Sequence, residues 1–415
     1  MSKKKILLLS YFGSRHGGGT VSGLATIAQG LRQRNYQVLL ASSEAIASDC
    51  QWLRLPFIRF LPNLYWRDMV LAWWLQFTIK KYHIDLLHVC DLRFCARAGI
   101  LAAKKCHLPV VIDIRDFWFC SLDGMLKVTD EQHNFRRQPL LFTPVRWRLF
   151  SPLSWLRYFW QKHKIAYFNT RLELFAAADF FLPVSQTISR VWRQLQIKAP
   201  MKVMDEVNLE PTPQKRQRAA AKLQLKMHYQ LKQEKVILFA GSLVEHRGMK
   251  TLVALARSLN EKAAKIFVAG SGKWQTYLKK QCHKYQLQNM VLCGQLNRLQ
   301  LQQLLWASDI FVFPTLIVEP FGRAVLEALR AGVVVVGSRV GNLPALVKDN
   351  YHGYLVPPGD EAAFVLRVQR LLSHPERLAT FAHHCSLSWA KVSSDIFFTN
   401  LINVYQQVES QDEKA

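Results

Sequence analysis

The sequence is poor in acidic residues. It holds 29 Asp and Glu against 55 Lys and Arg, which gives a formal net charge of +26 at pH 7 for 415 residues. Residues 1–205 contain 29 of the basic and 13 of the acidic residues, a net charge of +16, so the excess is larger in the N-terminal half. A field of this sign favours an anionic partner, such as a membrane surface, a nucleic acid or a polyanionic glycan.

Paired cysteine motifs are also lacking. The eight cysteines are scattered, none belongs to a Cys-x-x-Cys motif, and none is followed by a Cys or His pair at the spacing of a metal site. We therefore expect a reduced, cytosolic compartment.

Apolar runs long enough to span a membrane are absent as well. The N-terminal stretch Lys3–Ser10 has an apolar core too short for a secretory leader, and Tyr11, Gly13 and Arg15 interrupt it. This stretch predicts a first buried strand. We expect a cytoplasmic protein that is soluble or peripheral on the inner face of the membrane.

What the sequence does contain is typical of a large globular protein. Half of its residues are hydrophobic and a fifth are charged, and its length predicts two domains. Strand and helix patterns alternate, stop at a polar, proline-containing break near 205–217, and then resume. The alternation predicts an α/β protein with two Rossmann-like halves built on parallel sheets.

The most informative segment runs from Glu319 to Glu327. It places two carboxylates eight residues apart, directly after the apolar run Asp309–Pro314 and with Gly322 between them. Such a strand-to-helix corner holds phosphates in α/β proteins, and the helix should begin near Gly322 with Glu327 in its second turn. One carboxylate would then bind a sugar hydroxyl and the other a ribose hydroxyl. The alternative is that both glutamates merely flank a surface helix, with Glu327 ion-paired.

This segment resembles the E-x7-E motif of retaining glycosyltransferases of the GT-B fold, family 4, and the likeness extends from Lys5 to about Gln407. It implies a hexosyltransferase with two Rossmann-like domains facing across a cleft. Residues 1–205 would form the acceptor-side domain and 206–390 the nucleotide-sugar domain. Residues 391–415 would form a helix and tail that pack back across the junction.

The resemblance also implies a donor site. Arg247 falls on the position of the family's phosphate-binding lysine and keeps the cation, whereas Ser242 replaces its arginine. Arg323 or Lys273 could supply the missing charge. Phe321, Gly322 and Arg323 complete the expected donor contacts with Glu319 and Glu327. The alternative for Arg247 is an ordinary surface cation.

A glycine-rich loop in the first half gives two further candidates. Gly18 and Gly19 fall on the family's Gly-Gly corner, which faces the donor phosphates, although a turn that needs a positive φ would use the same residues. Arg115 replaces the family's histidine after strand Val110–Ile114, and Asp116 keeps its position and would order the acceptor. A salt bridge between Arg115 and Asp116 is the alternative. Arg115 could bind an acidic acceptor or the donor phosphate, but it could not act as a general base.

The implied chemistry needs charge stabilisation. Negative charge grows on the leaving diphosphate, and either a divalent metal or cations and helix N-termini must stabilise it. The sequence has no Asp-x-Asp pair, so we expect neither a metal nor a cofactor, only a UDP- or GDP-linked sugar as co-substrate. A front-face route that retains the anomeric configuration needs no strong base on the enzyme.

Two segments interleave aromatic residues with cations. Residues 136–168 contain no acidic residue, and Leu53–Lys81 includes Trp66, Trp73 and Trp74. Both suit a lipid headgroup layer, but a core helix with solvated cations would look the same. Together with the net charge they favour an anionic membrane surface and a glycan or lipid-linked acceptor, as in the synthesis of cell-envelope polysaccharide or glycolipid.

Three other functions fit parts of the sequence. An NAD-dependent oxidoreductase would need an acidic residue at the end of the second strand, where only Glu44 is offered, slightly late. A nucleic-acid-binding module would explain the charge, but it has no supporting motif, so we expect no nucleic-acid partner. A catalytically weak transferase homologue would explain Ser242 and Arg115.

Overall fold

The computed structural model describes two compact units. The first comprises the described residues up to 204 together with the C-terminal helix, and the second comprises 212–389. The described residues are 3–11, 19–45, 50–56, 64–118, 170, 173–195, 199–204, 212–259, 263–389 and 394–412.

The first unit is built on a six-stranded parallel sheet of order β3-β2-β1-β4-β5-β6. Its strands are β1 Lys5–Leu9, β2 Gln37–Ser42, β3 Gln51–Arg54, β4 Leu86–Val89, β5 Val110–Ile114 and β6 Phe180–Pro183. Its central strands are apolar and almost completely buried, as expected for a parallel sheet covered on both faces. The edge strand β3 is only half-buried.

Within the described residues, this unit contains the helices α1 Gly19–Gln33, α2 Leu64–Tyr82, α3 Ala96–Lys105, α4 Gln186–Gln194 and, from the C-terminus, α13 Ser394–Asp412, and residues 173–175 are also helical. Helix α13 shares a core with α1 and the sheet. The ring of Phe398 lies so close to Gly30 that a Cβ there would be 1.9 Å from it. A glycine within α1 therefore permits the close packing of the last helix.

The second unit repeats the architecture, with strand order β12-β11-β10-β7-β8-β9 and all pairs parallel. Its strands are β7 Lys235–Ala240, β8 Ala264–Ala269, β9 Met290–Gly294, β10 Ile310–Phe313, β11 Val334–Ser338 and β12 Gly353–Val356. Its α-helices are α5 Lys215–Tyr229, α6 Met249–Ser258, α7 Gln275–Lys284, α8 Arg298–Ala307, α9 Arg323–Arg330, α10 Leu343–Leu346, α11 Glu361–Ser373 and α12 Pro375–Trp389.

The predicted α/β class and the two Rossmann-like sheets are confirmed. The segment Lys3–Ser10 contains strand β1, and the second glutamate of the E-x7-E segment lies in the second turn of α9. The aromatic segment 136–168 lies outside the described residues. Among the described helices, none combines the length and apolar character that crossing a membrane requires.

Candidate functional site

The carboxyl ends of β7 and β10 form the point at which the second sheet reverses its strand order. β7 pairs with β8 on one side and with β10 on the other, and Ile310 is level with Ile237. Open α/β sheets bind ligands outside the carboxyl ends of their strands at such a point. The connections that follow the two adjacent strands run in opposite directions there, which opens a crevice between them.

The corner after β7 is a short turn held by glycine. A 3₁₀ turn, Glu245–Arg247, leads into Gly248, which has φ +77° and caps α6. A Cβ at Gly248 would lie 2.0 Å from the carbonyl oxygen of Pro314, and the Leu316 amide donates to the His246 carbonyl at 2.8 Å. The loop after β7 and the loop after β10 are therefore in direct backbone contact.

This backbone contact brings Arg247 and Glu319 together. Nη1 of Arg247 donates to Oε2 of Glu319 at 2.5 Å, and the guanidinium lies 5.5 Å from the ring centroid of Phe313. The side chains are 23% and 11% exposed, so water screens the pair only in part. A cation and a carboxylate thus lie side by side at the carboxyl ends of two adjacent strands.

The backbone of the Glu319 loop is held by the turn after β11. The Asn342 amide donates to the Glu319 carbonyl, and its side-chain Nδ2 donates to the Phe321 carbonyl, each at 3.0 Å. Gly341 has φ +57°, and a Cβ there would lie 2.3 Å from the Glu319 carbonyl oxygen. Sequence reasoning did not single out Gly341 or Asn342, although Gly-Asn directly before Leu-Pro marks a turn into a helix.

The loop then enters α9 through Gly322, which has φ +91° and serves as the N-cap. Phe321 is buried, and Nε of Arg323 lies 3.1 Å from Oε1 of Glu327 one turn on. The positive end of the helix dipole therefore lies next to Glu319 in sequence, between the two glutamates.

Ser242 is exposed on the corner after β7. Its neighbour Leu243 is hydrogen-bonded on both sides to the loop after β8, since the Leu243 amide donates to Ser271 and the Trp274 amide donates to the Leu243 carbonyl, each at 2.9 Å. That loop carries the exposed Lys273. The loop that carries Lys273 is thus held against the residue next to Ser242, the position where the family pattern has an arginine.

In the first unit the order reverses between β1 and β4. Gly19 is the first residue of α1, the helix that follows β1, and Gly18 lies outside the described residues. Asp91, two residues after the end of β4, accepts from the amides of Tyr11 and Arg93 at 3.2 and 2.8 Å. Its carboxylate therefore connects the loop after β1 with the loop after β4.

Arg115 pairs with Asp113, two residues before it. Its Nη2 and Nε atoms lie 2.8 and 3.0 Å from Oδ2 of Asp113. The sequence had suggested Asp116 as the partner in a corner salt bridge, and Asp116 instead accepts from the Trp118 amide at 3.0 Å. The reason is strand alternation: residues 113 and 115 project to the same side, whereas 116 begins the turn.

Asp113 continues into a buried polar chain. Its Oδ1 lies 2.9 Å from Nε2 of His88, whose Nδ1 lies 2.6 Å from the hydroxyl of Tyr405 on α13. Burial by itself raises the pKa of Asp113, but the charge of Arg115, and then His88, outweighs it, so the pKa lies well below its usual value. Sequence reasoning missed this chain, because His88 and Asp113 are isolated polar residues in apolar strands and Tyr405 lies on a helix far away in sequence.

His88, Cys90 and Asp113 also form a grouping whose ligand atoms lie within 4.8 Å of one another, close enough to share a metal ion. Burial, followed by the charge of Asp113, raises the pKa of the Cys90 thiol well above its ordinary value, which favours the protonated form. Both ring nitrogens of His88 already have protein partners. The grouping is therefore satisfied as a hydrogen-bonded core.

The predicted site residues accordingly fall into two groups. Ser242, Arg247, Glu319, Phe321, Gly322, Arg323 and Glu327 lie on the two corners, and on the helix that follows the second, at one edge of the second sheet. Arg115, Asp116 and Gly19 belong to the first unit.

Comparison with known proteins agrees with this geometry. Residues 17–204 match the family model described as Glycosyltransferase Family 4, and residues 224–384 match the model described as Glycosyl transferases group 1. An uncharacterized glycosyltransferase of Methanocaldococcus jannaschii is 36% identical over 142 residues, which are 34% of this chain and 36% of that protein. The amylovoran biosynthesis glycosyltransferase AmsK of Erwinia amylovora is 27% identical over 225 residues, 52% of either chain.

The likeness to solved structures is broader. The structure of HepE from Anabaena, in complex with UDP and glucose, matches all of both chains with a TM-score of 0.70 at 16% identity, which shows a common fold. The matches to the two curated relatives span only about a third to half of those proteins' lengths. The two family models, which together cover both units, and the shared fold show that the chain belongs to family 4 of the GT-B glycosyltransferases.

Proposed function

We propose that this protein transfers a sugar from a nucleotide-sugar to a glycan or lipid-linked acceptor in the synthesis of a cell-envelope polysaccharide or glycolipid. The observation that carries the proposal is the Arg247–Glu319 pair at the reversal point of the second sheet. Matching relatives carry names of polysaccharide synthesis, and a structural neighbour was solved with UDP and glucose.

The donor would lie along the E-x7-E corner. Arg247 and the N-terminus of α9 would bind the diphosphate, because a guanidinium fork and a helix N-terminus both favour phosphate oxygens. Glu319 would accept from hydroxyls of the sugar, and Glu327 from the ribose. The pair Arg247–Glu319 supports this assignment, since it brings the phosphate-binding cation and the sugar-binding carboxylate together. The Arg323–Glu327 pair fits a surface helix equally well, so the ribose role of Glu327 rests on the resemblance.

The reaction would retain the anomeric configuration. The bond from the anomeric carbon to the diphosphate oxygen breaks, the acceptor oxygen bonds to the same face, and its proton passes to the departing diphosphate. Arg247, the helix N-terminus and further cations would stabilise the negative charge on the leaving group without a metal. Glu319 would stabilise the positive character of the sugar ring.

Lys273 would supply the cation that Ser242 does not. The loop that carries Lys273 is hydrogen-bonded to Leu243, and the side chain is exposed. Arg323 is the weaker candidate, because its Nε already contacts Glu327. A strongly hydrated lysine would bind the diphosphate as a point charge, whereas an arginine could bind it through two parallel hydrogen bonds.

Arg115 and Asp116 would bind the acceptor. Arg115 is fixed by two contacts with Asp113, which leaves a rigid cation rather than a proton acceptor at the end of β5. A rigid guanidinium suits an acceptor that carries a carboxylate or a phosphate.

A thermal-shift panel of UDP, GDP, ADP and their sugars tests the donor class, since a ligand that binds only the native state raises the melting temperature. We expect one diphosphate nucleotide series to stabilise the protein and Arg247→Ala to remove most of that shift. NAD is the comparison ligand, and stabilisation by NAD alone would favour an oxidoreductase instead.

Glu319→Gln separates binding from turnover. The variant should bind the nucleotide diphosphate as wild type does and lose at least ~100-fold in turnover, because a charge that stabilises the transition state contributes several kcal/mol. Wild-type turnover by this variant would refute the role of Glu319. Nucleotide binding with no turnover in the wild-type protein would favour the catalytically weak homologue.

A further inference from the structure

Helix α2 is apolar on two opposite faces. Its buried positions, which include Leu71, Leu75 and Ile79, face the core of the first unit. The opposite side carries five large apolar residues that are exposed: Trp66 64%, Met69 61%, Val70 37%, Trp73 70% and Phe77 58%. At 100° per residue these five positions fall within an arc of about 100°, so they form one continuous stripe.

We propose that this stripe, defined by Trp66, Met69, Val70, Trp73 and Phe77, docks on an anionic lipid surface with α2 lying in the plane of the membrane. It extends the proposed function by naming the surface on which a lipid-linked acceptor would be met. A large exposed apolar patch marks an interaction site. A helix that presents such an apolar stripe outward is therefore expected to bury it against a partner.

The residue types favour lipid. Two of the five are tryptophans, whose rings are apolar with one polar N–H and are enriched at the boundary between headgroups and acyl chains. The other large exposed apolar residues of the described chain are spread over five helices, none of which carries more than two of them: Leu223, Met227, Leu299, Leu366, Leu387 and Ile396. A stripe of five on one helix is therefore particular to α2.

The charges favour an anionic lipid. Lys80 and Lys81 are exposed and lie one turn beyond Phe77, and by helical geometry both fall at the edges of the stripe. Nζ of Lys81 lies 5.8 Å from the Phe77 ring centroid. The helix's one acidic residue, Asp68, lies on the core side, is 1% exposed and contacts Arg97 at 3.4 Å. The exposed face of α2 therefore joins apolar residues to positive charge and presents no negative charge.

Interfacial helices bind through buried apolar area plus attraction of cations to anionic lipids. The stripe supplies the apolar area, and Lys80 and Lys81 supply the attraction to anionic headgroups. A second copy of this chain would carry the same two lysines to the contact, which disfavours a symmetric dimer through α2.

The test is flotation of the full chain with vesicles, without any nucleotide. We expect binding to vesicles of phosphatidylcholine with phosphatidylglycerol and weak binding to phosphatidylcholine alone. Trp66→Ser with Trp73→Ser should lower the partition constant at least ~10-fold by removing apolar area. Leu366→Ser on α11 of the second unit, where Leu366 is 62% exposed, is the matched control and should bind as wild type.

Charge reversal tests the role proposed for the two lysines. Lys80→Glu with Lys81→Glu should abolish the preference for anionic vesicles, whereas Lys279→Glu with Lys280→Glu, an exposed pair on α7 with the same change in net charge, should keep it. Equal binding by both pairs would overturn the proposal.

Two other results would also overturn it. If wild type does not float and the tryptophan double variant changes a dimer into a monomer in size-exclusion chromatography, a second copy covers the stripe. If wild type neither floats nor self-associates, another part of the chain covers it. An unchanged melting temperature without nucleotide in every variant shows that the fold is intact. The nucleotide thermal shift is measured separately, so loss of vesicle binding and failure of the donor-site assignment are separate outcomes.

Discussion

Nδ1 of His88, on the fourth strand, lies 2.6 Å from the hydroxyl of Tyr405, on the last helix, although 317 residues separate them in sequence. The other ring nitrogen contacts Asp113, which in turn holds Arg115. The C-terminal helix is thereby connected, through buried polar groups, to a candidate acceptor-binding cation in the same unit.

Tyr405→Phe should destabilise the first unit by ~1–3 kcal/mol, because it leaves a buried nitrogen of His88 without its partner. Denaturant unfolding followed by fluorescence measures the change. Tyr229→Phe, a half-buried tyrosine of the second unit, serves as the control and should be close to neutral. If the two variants lost the same stability, the His88 contact would contribute nothing specific.

Asp113 should make the first unit sensitive to acid. Its pKa in the folded protein lies below the usual value, so between that value and about 4 the unfolded chain binds a proton that the folded chain does not. Stability from this carboxylate is therefore complete above about pH 4 and is lost as the pH falls through the folded pKa.

Asp113→Asn tests this through the melting temperature measured against pH. The variant should be clearly less stable than wild type at neutral pH, and the difference should shrink as the pH falls below about 4. A difference that stays constant down to pH 2 would contradict the assignment of this pKa shift to Asp113.

Gly30→Ala should loosen the last helix. A Cβ at this position would lie 1.9 Å from the Phe398 ring, so overpacking should cost about 1–3 kcal/mol despite alanine's better helix propensity. Protection of α13 against amide hydrogen exchange measures the effect. Phe398→Leu combined with Gly30→Ala should recover part of the stability, and a double variant no better than the single one would argue against a direct clash.

Lys273→Ala should weaken binding of the nucleotide diphosphate about 10-fold, since one charge-assisted contact to phosphate contributes about 1.5–3 kcal/mol at most. Calorimetric titration with the nucleotide selected by the thermal-shift panel measures the affinity. Lys279→Ala, an exposed lysine on α7, is the control. Unchanged affinity in Lys273→Ala would leave Arg247 and the helix N-terminus as the proposed phosphate ligands.

Local signals explain which predictions succeeded. Apolar runs correctly predicted the buried strands, and Gly322 correctly predicted the start of α9. A buried strand and a helix start are both determined by residues adjacent in sequence. The edge strand β3, Gln51–Arg54, was not predicted. It is four residues long and only half-buried, so its pattern does not differ from that of a loop.

Contacts that depend on three-dimensional geometry explain what was missed. For Arg115 the sequence left open a salt bridge with its neighbour Asp116, but strand geometry directs Arg115 to Asp113. The sequence did not indicate that the turn at Gly341 and Asn342 holds the Glu319 backbone. That role depends on the pairing of β11 with β10, which brings the turn next to the Glu319 loop.

By itself the sequence determined the α/β class, the two sheets and the E-x7-E corner. These features follow from hydrophobic periodicity and glycine positions, which set local structure within a few residues. Only the tertiary structure decided that Arg247 contacts Glu319 across 72 residues, and that His88 reaches Tyr405. It also decided which apolar face of α2 is buried, because a helix that is apolar on both sides has a pattern that fits either orientation.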